Sequence, residues 1–129
     1  GDGAAEIFER MAGASLTIAV CPVYFYHVPA QAKAWIDRSQ RYWALLACRK
    51  PAKGKAMTAI FVAARQNGEK LFDGASLTLR YMAQNMGMEW IPPLCLRGAD
   101  GNDSLKGNAN ALARIEQFVL NAWHERKGQ

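Results

Sequence analysis

The sequence is poor in the residues that build metal centres and disulfide frameworks. Its three cysteines, Cys21, Cys48 and Cys95, are an odd number and include no C-x-x-C pair. Neither a disulfide scaffold nor a zinc-ribbon spacing is therefore present. The only histidines, His27 and His124, lie far apart and fit no metal-ligand pattern, so both read as surface or loop residues. No run approaches the ~18 consecutive apolar residues of a membrane span, and no basic-then-apolar leader is legible. The expected compartment is a reducing cytoplasm, with no membrane partner. The G-x-S-x-G elbow, the P-loop and the G-x-G-x-x-G fingerprint are all missing. Ser15, Ser39, Ser76 and Ser104 stand in no triad context. No catalytic residue is assigned, and any chemistry would belong to a bound cofactor.

The 129 residues are 50% hydrophobic and 21% charged. That balance excludes a disordered or collagen-like chain and supports one domain with one core over residues 1–129. The net charge of +5 is local. Residues 33–55 hold Lys33, Arg38, Arg41, Arg49, Lys50, Lys53 and Lys55 against the single acid Asp37, a segment charge of +6. Such a cluster can attract phosphates, but it also suits the C-terminal end of a helix and the following turn, where cations complement the dipole. A nucleic-acid partner ranks last, because no zinc-finger, basic-zipper or RNA-binding aromatic pattern accompanies the charge.

Along the chain, helical and strand patterns alternate. Asp2 can cap a short helix through about Ala12, with Ile7, Phe8 and Met11 on one face. Leu16–Val20 is a continuous β-prone run of the kind buried on both faces, and Pro22 ends it. Pro29 suits the first turn of a helix that carries Trp35, Ile36, Tyr42 and Trp43 to about Leu46. A turn follows at Pro51–Gly54. Ala56–Ala63 is a second buried strand. Asp73 can cap a third helix reaching Gly87. Glu89–Leu96 is a third strand, and its Pro92-Pro93 pair marks an edge. A last helix spans about Asn108–Glu125. This alternation predicts right-handed βαβ crossovers and a parallel α/β sheet.

Ligands of open parallel sheets bind beyond the carboxyl ends of the strands. Here those ends are Cys21–His27, Ala64–Glu69 and Arg97–Asn102. The first carries Tyr24, Phe25 and Tyr26 in a row. The second is polar and contains Gly68, so its backbone amides can approach a planar ring. The aromatic run suits a ligand wall and a subunit contact equally.

Residues 22–38 then resemble the third-strand loop and following helix of the NAD(P)H-dependent FMN reductases. That family includes iron–sulfur flavoproteins and multimeric flavodoxins. The resemblance rests on Pro22, Tyr24, Lys33, Asp37 and Arg38, with Cys21 where the family usually has Ser and His27 where Asn is common. It implies a flavodoxin-like three-layer α/β/α fold. It also implies an FMN site lined by Pro22, Val23, Tyr24, Phe25, Tyr26 and His27. Ala64, Arg65, Gln66, Asn67, Gly68 and Glu69 would offer amides to the ring's polar edge. NAD(P)H would be the electron donor, and a small molecule or protein the acceptor. The chain aligns with the C-terminal part of that fold, so the expectation is a sheet lacking the first two strands, the first helix and the phosphate-holding loop. FMN would then bind weakly, and Leu16–Val20 would become a bare edge that a homodimer covers. The alternative is a fragment or oligomerisation module that binds no FMN.

Overall fold

The structure, a computed structural model, describes residues 3–42, 54–101 and 103–127. Its elements are α1 (Ala4–Gly13), β1 (Leu16–Pro22), α2 (Ala30–Arg38), β2 (Ala56–Val62), α3 (Asp73–Asn85), β3 (Glu89–Trp90), β4 (Leu94–Leu96) and α4 (Ala109–Lys127). β1 and β2 pair in parallel over seven residues, from Leu16 opposite Ala56 to Pro22 opposite Val62. On its other side β2 pairs in parallel with β3 and then with β4. The expected third strand is thus two short pieces along one edge. Pro92 and Pro93 have no N–H to continue the ladder. Thr58 Oγ1 bridges the gap by donating to the Pro92 carbonyl at 3.2 Å.

β2 is the centre of the sheet, and Ala56 through Phe61 are all buried. Successive side chains of a strand point to opposite faces. Met57, Ala59 and Phe61 join one core with Phe8 and Met11 of α1, Ile36 of α2, and Leu79 and Met82 of α3. Thr58 and Ile60 face the other way and are buried as well. α4, which touches β1 and β4, covers that side. Helices therefore lie on both faces of a parallel sheet. Phe8 stacks on Trp35 with ring centroids 5.0 Å apart and meets Tyr42 edge-on at 5.1 Å, which joins α1 to α2. Burying a ring like Phe8 contributes about 2–3 kcal/mol.

Several expectations change. β1 is not buried on both faces. Leu16 through Ala19 are half-buried and Val20 is 72% exposed, because among the described residues no strand pairs with its outer edge. Asp73 is not the cap of α3. It is the first helical residue, and Phe72 holds the cap position without a side-chain bond. The acid still favours the helix N-terminus through the dipole. Pro29 is the residue before α2, and that helix ends at Arg38, with residues 40–42 helical again after a break at Ser39. The Asp2 cap, the residues 43–46 and the turn before Gly54 lie outside the described residues. At the start of α4, Asn108 Oδ1 accepts from the Ala111 N–H at 3.0 Å, closing that helix end. The side chain of Arg126, near its other end, is almost fully buried and pairs with Glu89 at 2.9 Å, tying α4 to β3.

Candidate functional site

Three segments meet beyond the carboxyl ends of the strands. The chain leaves β1 by donating the Val23 N–H to the Val62 carbonyl at 2.8 Å. It then folds back on itself at once. Tyr24 and His27 exchange backbone hydrogen bonds of 2.9 and 3.1 Å around a two-residue loop. The loop residues Phe25 and Tyr26 have φ of 48° and 67°. Paired positive φ is the geometry that Asn-Gly normally serves. For two aromatic residues it costs about 1–2 kcal/mol each. Phe25 at the tip is 96% exposed.

α3 supports this hairpin from below. A Cβ on Gly74 would lie 2.9 Å from the Tyr26 carbonyl oxygen and 3.2 Å from His27 Cδ2, so only glycine allows the helix's first turn this close. His27 Nε2 lies 3.1 Å from Thr78 Oγ1, which turns the imidazole toward α3.

The second segment leaves β2 where the Ala63 N–H donates to the Leu96 carbonyl. From residue 64 to residue 68, the backbone N–H groups have no hydrogen-bond acceptor among the described residues. Arg65 Nη1 donates to the Tyr26 hydroxyl at 2.7 Å, and its guanidinium lies 5.5 Å from that ring's centroid. From the third segment, Arg97 Nη2 donates to the Gly68 carbonyl at 2.7 Å. The Gln66 amide rests against Gly98, whose φ is +72°.

Between the first two segments lies a cleft of about 300 Å³ lined by Val23, Tyr24, Phe25, Tyr26, Ala63, Ala64, Arg65 and Leu71. Of the twelve residues singled out in the sequence, Val23, Tyr24, Phe25, Tyr26, Ala64 and Arg65 line it. Pro22 is still in β1, and His27 belongs to the α3 contact. Gln66 and Gly68 hold the loop to the third segment, while Asn67 and Glu69 are exposed. The sequence reading passed over Ala63, Leu71 and Arg97. Arg97 opens a segment that the strand-end rule did mark. Leu71 had no signal beyond hydrophobicity.

Burial pushes the thiols of Cys21 and Cys95 up from their ordinary range. For Cys95, nearby Arg97 works against that rise and Asp73 adds to it. Neither described cysteine is a ready nucleophile at neutral pH. No cluster of metal-ligating side chains occurs among the described residues. The cleft can therefore hold a flat, partly apolar ring against aromatic walls and meet polar ring atoms with free amides. It has no acid–base pair of its own.

An open parallel α/β sheet with its cleft at the strand ends defines the class of protein. A family model described as the flavodoxin-like fold matches residues 2–119. The chain belongs to that family. No curated protein matches it in sequence. Among solved structures it is similar to the Trp repressor binding protein from Bacillus subtilis, with a TM-score of 0.63 and 19% identity over 87% of this chain and 68% of that one. It is similar to an FMN-dependent NADH-azoreductase from Bacillus anthracis, solved with FMN, at 0.63 and 17% over 92% and 60%. It also resembles a putative quinone reductase from Klebsiella pneumoniae at 0.57 and 20% over 99% and 54%. The chain thus spans less than two thirds of the last two. Identities this low show a shared fold alone.

Proposed function

We propose that the chain forms the ring-binding side of an FMN site in an NAD(P)H-dependent flavin oxidoreductase. The observation that carries this reading is the cleft itself, lined by three aromatic residues from one segment and by Ala64 and Arg65 from the other, whose N–H groups have no acceptor among the described residues. These residues fit a flavin ring: the aromatic wall suits its apolar faces, and the amides suit its carbonyl and imide edge. When bound, FMN would supply hydride acceptance from the nicotinamide. The chain's own residues would orient the ring, exclude water from one face and hold its polar edge. The FMN complex of the azoreductase supports this choice of ligand. Cys21 and Cys95 are free thiols, which supports the reducing cytoplasm as compartment.

The test is titration of FMN with the chain, read by quenching of flavin fluorescence and followed by NADH and NADPH oxidation. Saturable quenching is expected. Unchanged flavin fluorescence at high protein concentration would overturn the reading for this chain. The non-catalytic module would then take its place.

The same proposal includes a second copy of the chain pairing along β1. Its support is the seven-residue edge, which has no outer partner among the described residues, and the exposed Val20. Beside that edge lies an apolar groove of about 300 Å³, lined among others by Ile7, Thr17, Val20 and Trp35. Two buried polar atoms there, Thr17 Oγ1 and Trp35 Nε1, lack partners among the described residues.

A further inference from the structure

Among the described residues the amides of the 64–68 loop find no acceptor, and the loop is not held by its own backbone. A short exposed segment with few internal bonds would ordinarily sample many conformations. What holds it comes from outside. Arg97, the first residue after β4, donates from Nη2 to the Gly68 carbonyl at 2.7 Å. Its guanidinium lies 5.0 Å from the centroid of the Phe72 ring. Phe72 is buried and stacks on Phe61 of β2 at 6.3 Å. The arginine is thus anchored on the core at one end and grips the loop at the other. The next residue, Gly98, receives the Gln66 side chain on its open face, where a Cβ would collide with that amide. Gly68 itself has φ of +129°, a conformation that L side chains rarely adopt. Its carbonyl is therefore turned by a glycine-only backbone toward Arg97.

We propose that Arg97 is a positioning residue that latches the 64–68 loop and so holds the Ala64 and Arg65 amides at the cleft. This rests on the FMN reading for its functional consequence, while the latch itself is a property of the chain alone. Arg97 does not line the cleft, so its effect on the ligand passes through the loop. A guanidinium suits the task, because its planar fork is pre-organised.

The experiment compares wild type with Arg97→Met and Arg97→Lys. Methionine keeps much of the length without a donor, and lysine restores a cationic donor. Two readouts are taken: order parameters from NMR relaxation for the amides of residues 65–68 without ligand, and the FMN dissociation constant. The wild-type loop is expected near the rigid value of about 0.85, and the methionine variant below about 0.6. FMN affinity is expected to fall about tenfold in Arg97→Met, the scale of one charge-assisted hydrogen bond. Arg97→Lys keeps a cationic donor without the planar fork and is expected to recover part of both, which a purely structural contribution of the side chain's bulk would not do. Order parameters unchanged in Arg97→Met would overturn the latch. A loosened loop with unchanged FMN affinity would overturn the positioning role. If wild type binds no FMN, the FMN reading and with it the positioning role fail, and the relaxation data still decide the latch.

Discussion

The Tyr26 hydroxyl accepts a 2.7 Å hydrogen bond from Arg65 Nη1 across the mouth of the cleft. The bond joins two segments that leave different strands. It involves exposed side chains, so its contribution to global stability is small. Its role is to hold one wall of the cleft against the other. Tyr26→Phe should leave the melting temperature within about 2 °C of wild type while weakening FMN binding several-fold. Arg65→Met should have a similar effect, and the double variant should lose no more than either alone. A double-mutant cycle on FMN affinity checks this.

The strained turn predicts a trade of stability against binding. Replacing Phe25-Tyr26 by Asn-Gly gives the loop the residues its φ values favour. The expected gain is about 1–2 kcal/mol of stability, several degrees of melting temperature. FMN affinity should fall because two of the three aromatic side chains lining the cleft are lost. A variant that is both less stable and equally competent in binding would contradict this account of the turn.

The Arg126–Glu89 pair is asymmetric, with the arginine side chain 5% exposed and the glutamate 60%. Arg126 Nε is buried without a partner among the described residues. Glu89→Gln leaves a buried cation without its counter-charge and should cost about 1–3 kcal/mol in urea unfolding. Arg126→Met removes the buried charge altogether and should cost less than Glu89→Gln. The reverse order would show that the bridge, rather than the desolvated cation, sets the energetics.

The raised thiols of Cys21 and Cys95 fix the sign of one pH dependence. Burial disfavours the thiolate in the folded chain, so the unfolded chain gives up its protons first as pH rises. Stability from these groups is therefore complete below the ordinary thiol value of 9.0 and declines above it, through the raised folded values. Urea midpoints measured from pH 7 to pH 10 should fall at the alkaline end, and the fall should shrink in Cys21→Ala with Cys95→Ala. Alkylation at pH 8, located by peptide mass, should be slow at both sites until the chain is unfolded.

The open β1 edge predicts self-association. Sedimentation should show a dimer, and Val20→Lys, which places a charge on that edge, should shift it to monomer without lowering the helix content. A wild-type monomer at high concentration would exclude pairing along β1.

Much of this architecture was legible locally. The runs Leu16–Val20 and Ala56–Ala63 are too apolar and β-branched for anything but strands, and the helices between them carry their apolar residues at helical spacing. The proline pair at Pro92-Pro93 marked the place where the ladder breaks. The strand-end rule pointed to the two segments that flank the cleft and to the third, whose Arg97 holds the second. The turn at Phe25-Tyr26 was not legible, because no glycine or asparagine announces positive φ there. The place of Asp73, one residue inside α3 rather than capping it, was missed because Phe72 carries no capping signal.

The sequence by itself determined the alternation of helices and strands, the parallel sheet and the three loops at one end of it, since these follow from hydrophobic period and turn residues along a few neighbouring positions. Tertiary structure decided the rest. Gly74 admits the hairpin onto α3, and Arg97 reaches Gly68 from 29 residues away. β1 is half-exposed although its residues read as core. These relationships depend on which segments meet in space. A short-range pattern carries no record of that, because the same glycine or arginine would look identical on an open surface.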